Sequence, residues 1–341
     1  MPDRVLVTGI SGFLGGHVAL QLLQQGYVVR GSVRSPARAD RPRATLAANG
    51  ADTGRLEFVT LDLLSDTGWA EAMAGVRYLQ HVASPLTIEV PRDRDELIRP
   101  AVEGTRRAVT AALAAGVERI VLTSSIAAIV YGHADHAGPF TTADWTDPDS
   151  PRTTAYPESK LRAEREAWTI AERHDARDRL AVINPAAILG PLLDDDPGTS
   201  GALIHRLIDG FLPGVPRLSF SLVDVRDVAA AQLAAMTRPE AGGHRHILSE
   251  REMSVLELAR YLRAHLPAPY ASRIPRRELP DWLVRLAGLF DARIRANIAG
   301  LGKARPVDGS SGRALLGRPL IPAPEAALAT AGSLIARHLV R

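Results

Sequence analysis

Apolar positions in the first half of the chain follow two distinct periods. Val5, Leu6 and Val7 form an uninterrupted apolar run, the pattern of a strand buried on both faces of a parallel sheet. Leu14, Val18 and Leu22 then recur every fourth residue, with Ala19 and Leu23 beside them, so a helix here has one apolar face. Gly26 is placed to end it. The same alternation predicts strands over 27–33, 56–60, 76–82, 119–123 and 180–183, and helices over 93–115 and 154–174. Strands separated by helices imply right-handed βαβ units in a doubly wound parallel α/β sheet.

After Asn184 the rhythm breaks. Residues 185–222 are rich in Pro, Gly and Asp, and residues 250–341 contain mainly helical patterns, clearest over 254–266 and 324–339. Residues 224–236 read as a helix returning to the sheet, and 244–248 as one more strand. The expected organisation is therefore a sheet domain from residues 1–184 and 222–249, with a smaller, mostly helical C-terminal lobe from residues 185–221 and 250–341.

Composition narrows the chemistry. The 341 residues are 46% apolar and 23% charged, enough for a sizeable core. Lys+Arg exceeds Asp+Glu by only 41 to 38, so no basic face for nucleic acid is expected. No Cys is present, which excludes disulfides, thiolate nucleophiles and thiolate-held metals. Neither a signal peptide nor a membrane-spanning run is read, giving the expectation of a cytoplasmic protein without a membrane partner. Of the 41 cations only Lys160 and Lys303 are lysines, and lysine, unlike arginine, can have its pKa tuned.

Gly9, Gly12 and Gly15 follow the first strand after Thr8 and open the first helix. That strand–turn–helix setting is what a dinucleotide-binding Rossmann fingerprint requires: glycines permit the tight turn, and the helix N-terminus receives a pyrophosphate. An acid at the end of the second strand would hold the ribose 2′-hydroxyl of NAD; here Arg34 stands there and no acid appears before Asp40. Arg34, assisted by Arg38 or Arg41, suits a 2′-phosphate, so NADP is expected over NAD.

Tyr156 and Lys160 are four residues apart on a predicted helix and so share a face. A nearby cation favours the phenolate and should bring the tyrosine toward the working pH range. With six Tyr and two Lys in the chain, such a pair arises by chance in only about 4% of cases. Ser124 and Ser125 end the fifth strand, at the edge where ligands bind in such sheets.

In this order the motifs resemble the extended short-chain dehydrogenase/reductases, and within them the dihydroflavonol-4-reductase-like branch. They are Val5 to Gly9 with Gly12, Phe13, Leu14 and Gly15; Val33-Arg34; Asp62-Leu63; His81 to Pro85; Thr123 to Ser125; Asp144-Trp145; Tyr156 to Lys160; Asn184-Pro185; and Val223 to Ala229. The resemblance covers nearly the whole chain. It implies Tyr156 as general acid, Lys160 tuning it and binding the nicotinamide ribose, and Ser125 polarising a substrate carbonyl. It also implies Asp62 and Leu63 beside adenine and Val82, Ala83 and Ser84 along the ribose and nicotinamide. Pro185 to Ile188 would lie at the carboxamide, and Ser200 at a phosphate. Ser84, Leu86, Ile126, Val130, Phe211 and Phe220 are candidate substrate contacts. Val130 stands where plant flavonoid enzymes carry a polar substrate-reading residue, which argues against dihydroflavonol itself.

The expectation is an NADPH-dependent reductase of an aldehyde or ketone, monomeric or homodimeric, with a small-molecule substrate and no metal. The rivals are an epimerase or hydroxysteroid dehydrogenase/isomerase of the same superfamily, and a non-catalytic NADP-binding regulator. His133 and His136 with Asp135 read as a solvated loop, and Trp145 as a packing anchor.

Overall fold

The computed structural model describes residues 2–84, 91, 93–134, 136–210 and 213–340; Leu86, Asp135 and Phe211 lie outside them. The described residues form ten strands: β1 Arg4–Thr8, β2 Val28–Val33, β3 Leu56–Thr60, β4 Tyr78–His81, β5 Arg119–Thr123, β6 Leu180–Pro185, β7 Ala187–Leu189, β8 Ser219–Asp224, β9 Arg245–Leu248 and β10 Arg251–Ser254. Seven pair in the order β3-β2-β1-β4-β5-β6-β9, every pairing parallel.

β1 shows why the continuous apolar run is diagnostic. Val5 and Val7 point into one core with Leu14, Val18 and Leu22 of the helix Phe13–Gln24 and with Val228 and Leu233 of the helix Val225–Thr237. Leu6 points the other way, into a core with Val109 and Ala112 of the helix Asp95–Ala114 and Ala167 and Trp168 of the helix Ala155–Arg173. All three β1 residues are fully buried, as alternating side chains of a doubly covered strand must be. The chain order reverses between β1 and β4, so a crevice opens there at the carboxyl ends of the strands.

The predicted elements of the sheet domain are present, with boundaries moved by a few residues. Residues 185–221 and 250–341 hold more than helices. β7, β8 and β10 form a separate sheet, β8 parallel to β7 and antiparallel to β10; β7 and most of β8 fall in the Pro-, Gly- and Asp-rich residues 185–222, and β10 falls in the residues 250–341 expected to be mainly helical. Its core joins Leu189, Leu222 and Met253 to Ile204, Leu207 and Ile208 of the helix Gly198–Ile208. Leu258 and Leu262 of the helix Val255–His265 and Ala326, Ala327 and Leu334 of the helix Ala323–Ala336 complete it. No helix among the described residues is long and apolar enough to cross a membrane.

Candidate active site

The glycine turn is built on contacts no side chain could share. Gly9 has φ +74°, and a Cβ on Gly15 would stand 2.0 Å from the Gly9 carbonyl oxygen. Gly9 also accepts the Gly12 N–H at 3.0 Å. Gly12 caps the following twelve-residue helix without a side-chain hydrogen bond. The first-turn N–H groups are thus free of a capping side chain, the arrangement that suits an anionic pyrophosphate. Phe13 meets His17 edge-on at 5.4 Å, and Leu14 is buried in the core. Thr8 sits beneath the turn, its hydroxyl sharing a 2.9 Å hydrogen bond with His81 and accepting the Val82 and Ala83 N–H groups at 3.1 Å each. The Thr8 side chain is buried and fixes the crevice floor.

Arg34 and Arg38 are exposed beside β2, and neither side chain has an ion pair or hydrogen bond among the described residues. Arg41 does: it pairs with Asp194 at 2.9 Å, and both line a pocket with Ser11, Gly12 and Phe13. Between the two expected helpers of Arg34, only Arg38 is uncommitted. Asp62 is exposed and accepts the Leu64 N–H at 2.9 Å. Leu63 packs so closely on Gly104 that a Cβ there would lie 2.9 Å from it. Val82, Ala83 and Ser84 follow β4 half-buried, Pro185 is buried at the end of β6, Ile188 is half-buried on β7, and Ser200 lies in the first turn of the helix Gly198–Ile208.

The helix Ala155–Arg173 presents Tyr156 and Lys160 on one face, with the Lys160 ammonium 5.9 Å from the Tyr156 ring centre. The Ser125 hydroxyl stands beside the Tyr156 phenol and acts to lower its pKa. Ser125 also accepts the Ala127 N–H at 3.1 Å, which fixes its rotamer. Burial pushes the Tyr156 phenol up, the Ser125 hydroxyl opposes this, and nearby Tyr131 adds to the rise. This differs from the expectation that Lys160 lowers it: the ammonium lies beside the ring, and desolvation dominates. Lys160 itself is pulled down to about 8 by burial, with Glu164 opposing.

Behind these residues is a buried polar cluster that the sequence reading did not single out. Glu164 is fully buried and accepts Ser124 Oγ at 2.5 Å, Asn184 Nδ2 at 2.8 Å and Arg245 Nε at 2.6 Å. Asn184 Nδ2 also donates to the Ser125 carbonyl at 3.2 Å. Arg245 lies 3.7 Å over the Trp145 ring and donates to the Thr142 and Asp144 carbonyls, so Trp145 is the anchor its loop was expected to need. The one available sequence signal was spacing, since Glu164 is one helical turn beyond Lys160.

Of the apolar wall, Ile126 and Phe220 are half-buried. Val130 is buried with Ile129, Phe140 and Ile247, so its side chain belongs to a small core and not to an open pocket. His136 stacks on Phe140 at 3.7 Å, which accounts for that loop by packing.

Comparison with known proteins places this geometry. Residues 5–249 match the NAD dependent epimerase/dehydratase family. A protein of Synechocystis sp., provisionally named dihydroflavonol 4-reductase, is 33% identical over 91% of this chain and 84% of its own length. Cinnamoyl-CoA reductase CAD2 of Medicago truncatula is 34% identical over 77% of this chain and 81% of its own. Among solved structures, yeast methylglyoxal/isovaleraldehyde reductase Gre2 complexed with NADPH superposes with a TM-score of 0.81 at 25% identity, covering 98% of this chain and 99% of that one. Gre2 of Candida albicans in complex with NADPH gives 0.81 at 26% identity, covering 99% and 100%. The chain belongs to the NAD dependent epimerase/dehydratase family, in the dihydroflavonol-4-reductase-like branch of the extended short-chain dehydrogenase/reductases.

Proposed function

We propose that this protein, an NADP-dependent oxidoreductase, reduces an aldehyde or ketone to the alcohol, reversibly. The observation that carries the reading is the Tyr156 phenol beside the Ser125 hydroxyl, with Lys160 on the same helix face, at the sheet edge beside the glycine turn. When bound, NADPH supplies the hydride. The chain's own residues do the rest. The free N–H groups of the first helical turn and Arg34 hold the phosphates. Ser125 positions and polarises the carbonyl oxygen. Tyr156, kept protonated at neutral pH by burial, gives that oxygen a proton as the alkoxide develops. Ile126, Phe220 and Ser84 are the substrate contacts assigned in this reading, which suits an apolar aryl or alkyl group.

The test is loss of reduced-cofactor absorbance when the protein and NADPH meet a panel of aldehydes and ketones. Turnover of at least one is expected; tight NADPH binding with no consumption across the panel would reject the reading. Arg34 offers a second check. Arg34→Gln should weaken NADPH binding by about tenfold or more, the usual size of a lost charge-assisted hydrogen bond, and leave NADH binding almost unchanged. Fluorescence titration with both cofactors measures this; equal losses would remove Arg34 from 2′-phosphate recognition.

A further inference from the structure

We infer that Glu164 is a positioning residue for the Tyr156–Lys160 pair: its carboxylate holds Lys160 as an ammonium and clamps this helix to the strand ends carrying Ser125 and Asn184. Its statement about turnover rests on the reductase reading; its electrostatic half concerns the protein alone.

The geometry has three parts. Lys160 and Glu164 are one turn apart and line the same small cavity with Ser84, Thr105 and Ser124. Glu164 has no solvent exposure, so its charge survives only through the donors it meets: the Ser124 hydroxyl, the Asn184 amide and the Arg245 guanidinium. The same Asn184 amide nitrogen reaches the Ser125 carbonyl. One carboxylate thus touches, directly or through one amide, the segments that place Ser125, Tyr156 and Lys160.

The groups facing Lys160 leave Glu164 as the source of its charge. On its own helix stand Tyr156 and Glu164. From β4 comes His81, which burial and Lys160 hold neutral at about 3. The helix Asp95–Ala114 contributes the uncharged Thr105, and β5 contributes Thr123 and Ser124. From β9, Arg245 is engaged with Glu164 and two backbone carbonyls. A carboxylate is the one anion in this set, and it opposes the desolvation of Lys160.

The scarcity of lysine supplies a direct test. Protein labelled with [13Cε]lysine gives two side-chain signals, and the one absent from Lys303→Arg belongs to Lys303. The Lys160 midpoint should fall by about one pH unit or more in Glu164→Gln, the size expected for removing a close opposite charge. It should return close to the wild-type value in Glu164→Asp. The alkaline limb of kcat/KM should move in the same direction. Glu164→Gln strands the Arg245 guanidinium, so the double variant Glu164→Gln/Arg245→Met carries the same expectation if the single one does not fold. An unchanged Lys160 midpoint in a folded variant overturns the inference. A shifted midpoint in a protein that reduces no carbonyl would leave the electrostatic assignment standing and reject the reductase reading.

Discussion

Tyr156→Phe should lower turnover by about 10²- to 10⁴-fold, the range that positioned proton transfer contributes, with NADPH affinity nearly unchanged. The reason is the proton inventory of the site. Ser125 is held by the Ala127 N–H. His81 is neutral and its Nδ1 is tied to Thr8. Lys160 titrates near 8, with its ammonium 5.9 Å from the Tyr156 ring centre. Only the phenol combines a proton retained at neutral pH with a place beside the hydroxyl that would hold the carbonyl oxygen. Phenylalanine keeps the packing and removes that proton alone. Single-turnover rates with pre-bound NADPH are the decisive measurement, because they separate proton and hydride transfer from product release. Rates near wild type would take Tyr156 out of the mechanism.

Lys160→Met should make the cofactor-free protein more stable while abolishing most turnover. Lysine in an unfolded chain titrates near 10.5; burial lowers Lys160 to about 8 in the folded protein. Below about pH 8 both states are protonated, and the folded state carries the full cost of an ammonium withdrawn from water. Between about 8 and 10.5 the unfolded chain binds the additional proton, so wild-type stability rises with pH through that window. The depression corresponds to on the order of 3 kcal/mol. Thermal melts should therefore show the variant more stable at pH 7, with the advantage shrinking by pH 10. A variant that melts below wild type at pH 7 would show that Lys160 stabilises the ligand-free fold, contrary to this account. Retaining such a residue makes sense only if its charge is used in the ligand-bound state.

The sequence made legible whatever depends on local spacing. Val5 to Val7 declared a strand covered on both sides, and the glycines declared the turn after it. The four-residue interval from Tyr156 to Lys160 placed two groups on one helix face. What stayed hidden was set by partners distant along the chain. Arg245 meets Glu164 across 81 residues, and no local pattern distinguishes that glutamate from a solvated one. β7 has three residues and β10 four, too short for an alternation to register, and both exist because β8 lies between them. The state of Tyr156 is hidden for a related reason: spacing reveals a neighbouring cation but not how far burial outweighs it.

The pairing of Arg41 with Asp194 carries a consequence for ionic strength. Its two side chains are 60% and 27% exposed, so mobile ions reach and screen it. Added salt weakens the attraction of Arg34 and Arg38 for a multiply charged anion, and at the same time loosens the hold of Asp194 on Arg41. A guanidinium beside the glycine turn is thereby freed for the anion as the other two lose strength. Cofactor affinity in this protein should accordingly fall with salt less steeply than three independent arginines would dictate.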